Sequence, residues 1–374
     1  MKITHIIVGL GDGGAETTLY KLISGDKINQ HTVISLTNYG RYGEHLLKFK
    51  IPLITLNFKK NRLNLSKIYK LIKVIKKYKP DVIQSWMYHS DIITCLIKLF
   101  FPSIKVVWGI RNSVYRAKES YVRYSISKIC SYFSYIVPEA IISCSYQAMN
   151  EHIKLGYSKK KFRVVTNGVN LNKFFPKNIP EFKNNLRENY SFDIKKISIG
   201  MVARYDKQKG LNILIKALNI LQIKDIEFNC FLVGTNMNND NKNLVSMINE
   251  YNLNSKIFLL GQKNDIDNIY NFLDLSILSS TSGEGFPNVL IESMACGTPC
   301  VATNVGDSKF IVDNTGWIAE PGDYKILASL IEEAIREFNK KEWSKRQADC
   351  RNRIEANFDL GKMIENFNNV WSKI

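Results

Sequence analysis

Two glutamates eight residues apart, Glu284 and Glu292, frame the run GEGFPNVLIESMACGTP at residues 283–299. The residues between them favour a loop that passes into a helix. Pro287 suits a first helical turn, where its missing N–H costs nothing, and Gly297 suits the stop. Val289, Leu290, Ser293 and Met294 then form a buried face, and Glu292 lies off it, two turns in, on the side shared with Asn288. Glu284 stays in the loop. A helix start of this kind offers free N–H groups and the positive end of a dipole to a phosphate. Carboxylates at either end accept hydrogen bonds from vicinal hydroxyls. A sugar joined to a ribose through a diphosphate fits that layout.

Cations for such a diphosphate stand in GMVARYDKQKG (200–210), where Arg204 and Lys209 follow an apolar run and precede a helix. Arginine presents a planar fork to phosphate oxygens and lysine a mobile point charge. Lys207 shares that duty or points to solvent. A third phosphate-seeking feature is the turn Gly9-Leu-Gly11-Asp-Gly13-Gly14, which fits G-x-G-x-x-G. A dinucleotide site also needs an acidic residue on the next strand to hold a ribose, and VISLTNYGRYG (33–43) has none. The glycines still let backbone approach an anion. Asp265 and Asp267 in NDIDN form a D-x-D pair, but it falls where Asn264 or Asp265 would cap a helix, so no metal site is expected.

Elements that position these residues alternate along the chain. Short apolar, β-rich runs at 2–9, 31–36, 51–56, 81–86, 105–111, 140–145 and 162–169 are separated by helical segments. A stretch with two prolines, 172–185, reads as a linker. Strand candidates then resume at 196–203, 228–234, 256–261, 275–280 and 299–304. This is the pattern of doubly wound parallel sheets covered on both faces, with ligand chemistry at the carboxyl ends of the strands.

A length of 374 residues exceeds what one core usually holds, so two domains are expected. The seven cysteines include no C-x-x-C pair; Cys296 and Cys300 bracket a Gly-Thr-Pro turn without neighbouring histidines, and reduced thiols in a cytosolic protein are expected. The amino terminus does not read as a signal peptide, and IITCLIKLFF (92–101) is half a membrane span interrupted by Lys98. The net charge of +18 points to nucleic acid, an anionic membrane or phosphorylated ligands, or to solvated lysines in a Lys-, Asn- and Ile-rich usage. Two segments favour a membrane: residues 59–79, with Leu65, Ile68, Leu71, Ile72 and Ile75 at helical spacing among lysines, and residues 111–135, where Arg and Lys alternate with tyrosines. Core packing would explain the same aromatics.

The run EGFPNVLIESMACGTPCVAT, with Glu284 and Glu292 as E-x7-E, resembles the signature of the retaining GT-B glycosyltransferases of family four. ARYDKQKG resembles that family's R-x4-K-G phosphate clamp, GDGGAE (11–16) its first glycine loop, and VVTNGVNLNKFFP (164–176) its N-G-V-D…F segment, with Asn170 where Asp is usual. The resemblance implies α/β, two Rossmann-like domains facing a cleft: 1–178 for the acceptor, 186–357 for the nucleotide sugar, and a helix at 358–374 packing back on the first domain. It implies that Glu284 meets the transferred sugar and Glu292 the ribose. Arg204 and Lys209 would neutralise the diphosphate, with backbone at Gly285, Phe286, Pro287, Asn288 and Val289 beside it. Gly13 and Gly14 would approach the phosphate from the other domain, and backbone at Leu260 and Gly261 would meet the base. Many relatives carry a histidine after the strand VVWGI, where this chain has Arg111. Arg111 therefore joins Glu284, Arg204 and Lys209 as a catalytic candidate, and also stands with Asn112 and His89 on the acceptor side. His89 can equally be a packed residue.

The resemblance implies a retaining transferase for a hexose or N-acetylhexosamine, with UDP favoured over GDP and neither cofactor nor metal. Front-face attack is expected in preference to a covalent intermediate. The basic, aromatic amino half suggests a polyprenyl-diphosphate-linked acceptor, and a cytoplasmic protein held peripherally at the inner face of the cell membrane. That would make it an enzyme of bacterial surface-polysaccharide assembly, O-antigen or capsule. An epimerase or hydrolase of the same architecture, and a basic nucleic-acid-binding protein, are the competing readings; nucleic acid is not expected as a partner.

Overall fold

A computed structural model describes residues 1–11, 13–58, 65–114 and 121–374. Asp12 and parts of the two basic segments, 59–64 and 115–120, lie outside the described residues. The chain divides into two compact units, Met1–Gly168 with Leu360–Ile374, and Val169–Asp359.

The first unit holds a parallel sheet of β1 (Lys2–Ile7), β2 (Gln30–Ser35), β3 (Leu53–Thr55), β4 (Val82–Trp86), β5 (Lys105–Ile110), β6 (Ala140–Ser143) and β7 (Phe162–Val164). Its order is β3-β2-β1-β4-β5-β6-β7. The second holds β8 (Ile197–Val202), β9 (Phe228–Val233), β10 (Ile257–Gly261), β11 (Leu275–Leu278), β12 (Cys300–Thr303) and β13 (Trp317–Ala319), in the order β10-β9-β8-β11-β12-β13. Every ladder is parallel; β8 pairs with β9 from Ile197↔Phe228 to Val202↔Val233. Parallel strands covered on both faces read as unbroken apolar runs, and β4 and β9 are buried at every position. Each order reverses beside its first strand, β1 or β8, and the glycine turn, the Arg204–Lys209 loop and the Glu284 loop follow β1, β8 and β11 at those switch points.

Three expectations are corrected. The division falls at Gly168–Val169, not at 178, and no linker occupies 172–185. Helix Pro180–Tyr190 spans part of that stretch, with Pro180 in its first turn, where proline is tolerated, and Leu186 buried against the phenylalanine core of the second unit. The strand β13 has only three residues, too few to show a pattern. Two helices before the last one, Tyr324–Phe338 and Glu342–Asn357, also belong to the second unit.

The last helix, Leu360–Ser372, completes the first unit's core. Met363, Phe367 and Trp371 recur at four-residue spacing and are buried with Ile3, Leu22 and Trp86. Trp371 also donates its indole N–H to Gln84 Oε1 at 3.1 Å. Among the described residues, no helix is long and apolar enough to cross a membrane.

Candidate active site

In the second unit, the loop after β8 is braced before it reaches any ligand. Asp206 accepts from the backbone N–H of Gln208 at 3.0 Å and from Arg204 Nε at 3.1 Å, opening the short turn Lys207–Lys209. Burial pushes the Asp206 carboxyl up, but the Gln208 N–H and the Arg204 guanidinium outweigh it, and its pKa falls below the ordinary value. Gly210 follows with φ +63°, and a Cβ there would come within 2.1 Å of the Ser279 carbonyl. Only glycine allows the loop to lie this close to the end of β11. Ser279 Oγ donates to the Lys209 carbonyl at 2.9 Å and Thr281 N–H to that of Gln208 at 2.8 Å, so the two loops are fastened together.

That fastening brings Lys209 to Glu284. Lys209 Nζ donates to Glu284 Oε1 at 2.5 Å, with the side chains only 17% and 14% exposed, and Ser280 Oγ donates to the same oxygen at 2.8 Å. The glutamate loop is supported from behind as well. Asp307 N–H donates to the Gly285 carbonyl at 3.0 Å, and Gly306, at φ +60°, passes so close that a Cβ would lie 2.5 Å from that oxygen.

The helix beyond this loop is shorter than expected. Pro287 keeps an extended ψ of 103° and precedes the helix Asn288–Ala295, so Glu292 sits one turn in, not two. A Schellman stop ends it: Gly297 N–H donates to Met294 O at 3.0 Å and Thr298 N–H to Ser293 O at 3.1 Å. The buried face is Leu290, Ile291, Ser293, Met294 and Ala295; Val289 is only half-buried, like Asn288 and Glu292. Gly285, Phe286 and Pro287 are buried, with the Phe286 ring edge-on to Phe358 at 5.6 Å. The Phe286 side chain thus serves packing. The half-buried Glu292 carboxylate adds to the burial that raises the pKa of the Tyr270 hydroxyl.

Other expected positions divide. Leu260 is buried near the end of the edge strand β10. Gly261 N–H is already donated to Met237 O, and its carbonyl accepts from Gly234 N–H, both at 2.8 Å, leaving the carbonyl's second lone pair as its backbone offer to a base. Asp267 is held by Lys177 at 2.5 Å, with Lys173 at 4.0 Å. Asp265 stands at the N-cap of helix Ile266–Phe272, but its side chain makes no capping bond. Among the described residues, no three His, Cys, Asp or Glu side chains gather as a metal would need. All seven cysteines are free thiols.

The first unit presents its candidates differently. Gly13 caps the helix Gly14–Gly25 in extended conformation, and a Cβ placed on Gly11 or Gly14 would meet nothing within 4 Å. Thr18 Oγ1 donates to the Gly14 carbonyl at 2.8 Å and lies 3.3 Å from Asn167 Oδ1. Arg111 Nη1 donates to that same Asn167 oxygen at 3.2 Å. The Arg111 guanidinium carbon lies 4.8 Å from the Trp86 ring centre and 5.1 Å from that of Phe367. Its Nε and Nη2 are buried without a hydrogen-bond partner among the described residues. Burial lowers its pKa to about 10, with Cys144 acting the other way, so the group stays charged at neutral pH. Asn112 Nδ2 donates to the Ser113 carbonyl at 2.7 Å, while its Oδ1 is buried without a partner among the described residues. His89 is exposed on the helix Tyr88–Phe100, so it is not a packed residue.

Several contributors escape sequence reasoning. Asp206 lies inside the quoted clamp, and Asn167 inside the quoted N-G-V segment, so both were within reach. Trp86 and Phe367 reach Arg111 only through the fold. Asn170, standing where Asp is usual, accepts from Asn172 N–H at 2.9 Å in an Asx turn that either side chain can make.

Known proteins share this plan. The family model described as Glycosyl transferases group 1 matches residues 182–353, and that described as Glycosyltransferase Family 4 matches residues 12–173. A capsular polysaccharide biosynthesis glycosyltransferase of Staphylococcus aureus is 26% identical over 292 residues, covering 75% of this chain and 73% of its own. The UDP-Gal:alpha-D-GlcNAc-diphosphoundecaprenol alpha-1,3-galactosyltransferase of Escherichia coli is 24% identical, covering 99% of this chain and 96% of its own. Among solved structures, Anabaena HepE in complex with UDP superposes with a TM-score of 0.86 at 21% identity, covering 100% of both chains. Two Rossmann-like units, an E-x7-E helix, a braced Arg–Lys clamp and two family models covering most of the chain lead to one conclusion: this protein is a GT-B glycosyltransferase and belongs to the group 1 family.

Proposed function

We propose that the protein is a retaining transferase that moves a hexose or N-acetylhexosamine from a nucleotide diphosphate sugar, UDP rather than GDP, to a polyprenyl-diphosphate-linked oligosaccharide in bacterial surface-polysaccharide assembly. The observation that carries this reading is the enclosed Lys209–Glu284 pair, set between two fastened loops at the carboxyl ends of β8 and β11. In it, Lys209 and Arg204 take up the charge that grows on the departing diphosphate as the anomeric C–O bond lengthens. Glu284 orients hydroxyls of the transferred sugar, and Glu292 those of the ribose. The acceptor oxygen attacks the face the diphosphate leaves, and its proton passes to the leaving phosphate. Covalent catalysis is disfavoured because Glu284 Oε1 already accepts from both Lys209 and Ser280, which blunts it as a nucleophile.

The choice of UDP and of a lipid-linked acceptor leans on the relatives: UDP is bound in the HepE structure, and the Escherichia coli enzyme is named for a diphosphoundecaprenol acceptor. No cofactor or metal takes part in this scheme, and the enzyme works in the cytoplasm against the inner face of the membrane. Mass spectrometry after incubation with a panel of nucleotide sugars and a polyprenyl-diphosphate-linked glycan tests it. A mass gain of one sugar on the acceptor, with retained anomeric configuration by NMR and undiminished yield in EDTA, is expected. Free sugar or an epimerised donor as the sole product would overturn it.

A further inference from the structure

We propose that the outer face of helix Tyr121–Phe133, with its continuation to Ile136 and the basic ridge at residues 159–163, is the surface that docks on an anionic lipid bilayer. This deepens the membrane reading above and rests on it for its purpose, although lipid binding is measurable without transfer.

The helix turns few of its apolar residues inward, with Ile126 packed partly buried against the core. Its buried positions are Ser127, Cys130 and Ser131, followed by Ser134 in the turn beyond. The apolar stripe points outward: Val122 is 62% exposed, Ile129 47%, Tyr132 74% and Ile136 78%. These positions are separated by seven, three and four residues, which keeps them along one side. A helix in water puts such a stripe on the core. The basic helix Leu65–Tyr78 does so with Leu71 and Ile75, leaving Lys73, Lys76 and Lys77 outside. Among the described residues of the first unit, the stripe of the other helix stays exposed.

The patch extends beyond one helix. Lys98 Nζ reaches Glu139 Oε1 at 2.8 Å, which ties the end of helix Tyr88–Phe100, with exposed Leu99 and Phe100, to the segment that follows Ile136. Lys161 donates to the Tyr135 carbonyl at 2.7 Å, and the adjoining shallow groove of about 670 Å³ is lined by Ile136, Arg163, Val370 and Lys373 among others. Apolar side chains, interfacial tyrosines and a cationic rim are what a headgroup layer accepts. Glu139, the acid among them, is already committed to Lys98. A two-fold pairing of this face with a second copy would set like charges against each other, so charge complementarity favours the bilayer.

The test is flotation of the full-length protein with phosphatidylglycerol-containing vesicles against pure phosphatidylcholine vesicles. Wild type should float with the anionic vesicles and release as salt rises. Combined Ile129→Ser, Tyr132→Ser and Ile136→Ser should weaken binding at least tenfold, and more than Lys73→Glu with Lys76→Glu and Lys77→Glu, while melting temperature holds. Should the triple variant fold poorly, Ile136→Ser alone, at the exposed helix end, should still weaken binding about threefold. Unchanged flotation of a folded serine variant would overturn the proposal, as would a wild-type dimer that the serine variant converts to monomer. Vesicle binding by a wild type that transfers no sugar would count against the proposed function and leave this surface standing.

Discussion

The two units share a topology, and the polar groups of their candidate sites are treated in opposite ways. In the second, the cation and carboxylate expected to handle a donor are bonded to each other and to the loops that carry them. In the first, two buried nitrogens of Arg111 and a buried oxygen of Asn112 have no hydrogen-bond partner among the described residues. A site that is complete without its ligand must exchange bonds when the ligand comes, whereas an unpaired donor gains one. The difference suggests that the second unit is preorganised for one ligand and that the first waits for a polar group to satisfy it.

The sharpest way to break this comparison is to cut the pair. Lys209→Ala should lower transfer about ten- to hundredfold, since charge-assisted bonds are worth about 1.5–3 kcal/mol and each 1.36 kcal/mol is tenfold in rate. Glu284→Ala should fall in the same range. The double variant should be less impaired than the product of the two, because the residues share one bond. Fully multiplicative losses in steady-state kinetics would show that the two act independently.

Arg111 offers the next largest effect. Arg111→Met keeps much of the volume between Trp86 and Phe367 but removes the charge. Transfer should drop about tenfold, with melting temperature unchanged or raised, because an incompletely paired buried charge stabilises little. A purely structural arginine would give the reverse: a lower melting temperature with transfer intact.

A smaller effect separates the glutamates. Glu292→Ala should weaken binding of the free nucleoside diphosphate severalfold, and Glu284→Ala should leave it unchanged. One helical turn, about 6 Å from Asn288 at 1.5 Å per residue, together with the non-helical stretch before it, holds the two carboxylates apart. Calorimetry showing equal losses in both variants would remove the division of labour.

What the sequence made legible follows from how local each signal is. Strand runs, the E-x7-E helix and the Arg204–Lys209 spacing are short-range patterns, and the elements form at those runs, although the helix starts after Pro287 and not at it. The pairing of Lys209 with Glu284 was not legible, because it depends on β8 and β11 lying side by side, which strand order decides. Helix Pro180–Tyr190 was hidden by its prolines, although one of them opens the helix. The tyrosines and cations of 111–135 were visible, but the sequence leaves open whether the aromatics face the core, and Tyr121, Tyr132 and Tyr135 stand exposed.

The last expected difference between the units is acid sensitivity, because all five histidines lie in the first. Burial holds His152 at about pKa 4, with Nδ1 2.6 Å from the Ala148 carbonyl and Nε2 2.7 Å from the Tyr88 hydroxyl. Burial, then the neighbouring His31, also lowers His5; burial lowers His31 against the pull of Asp26. Trp86 N–H donates to His5 Nδ1 at 3.2 Å, so His5 donates from Nε2 to His31 Nδ1 at 3.0 Å, and His31 Nε2 donates to Asp26 at 3.2 Å. In that chain neither ring has a place for a second proton. The unfolded chain takes up those protons below pH 6.5, so the stability these residues give is full above that value and is lost as pH falls toward 4. Asp91 works the other way: burial raises its carboxyl to about 7, so its share is full below its ordinary value of 3.8 and is lost as pH rises through 7. Burial, then Arg123, lowers His89 as well, and four lowered histidines against one raised carboxyl leave a net loss on acidification. Hydrogen exchange read by mass spectrometry between pH 6.5 and 4, corrected for intrinsic rates, should show first-unit peptides, β1 and β2 above all, losing protection before those of β8 and β9. Simultaneous loss in both units would mean that they unfold as one and that the histidines do not set the order.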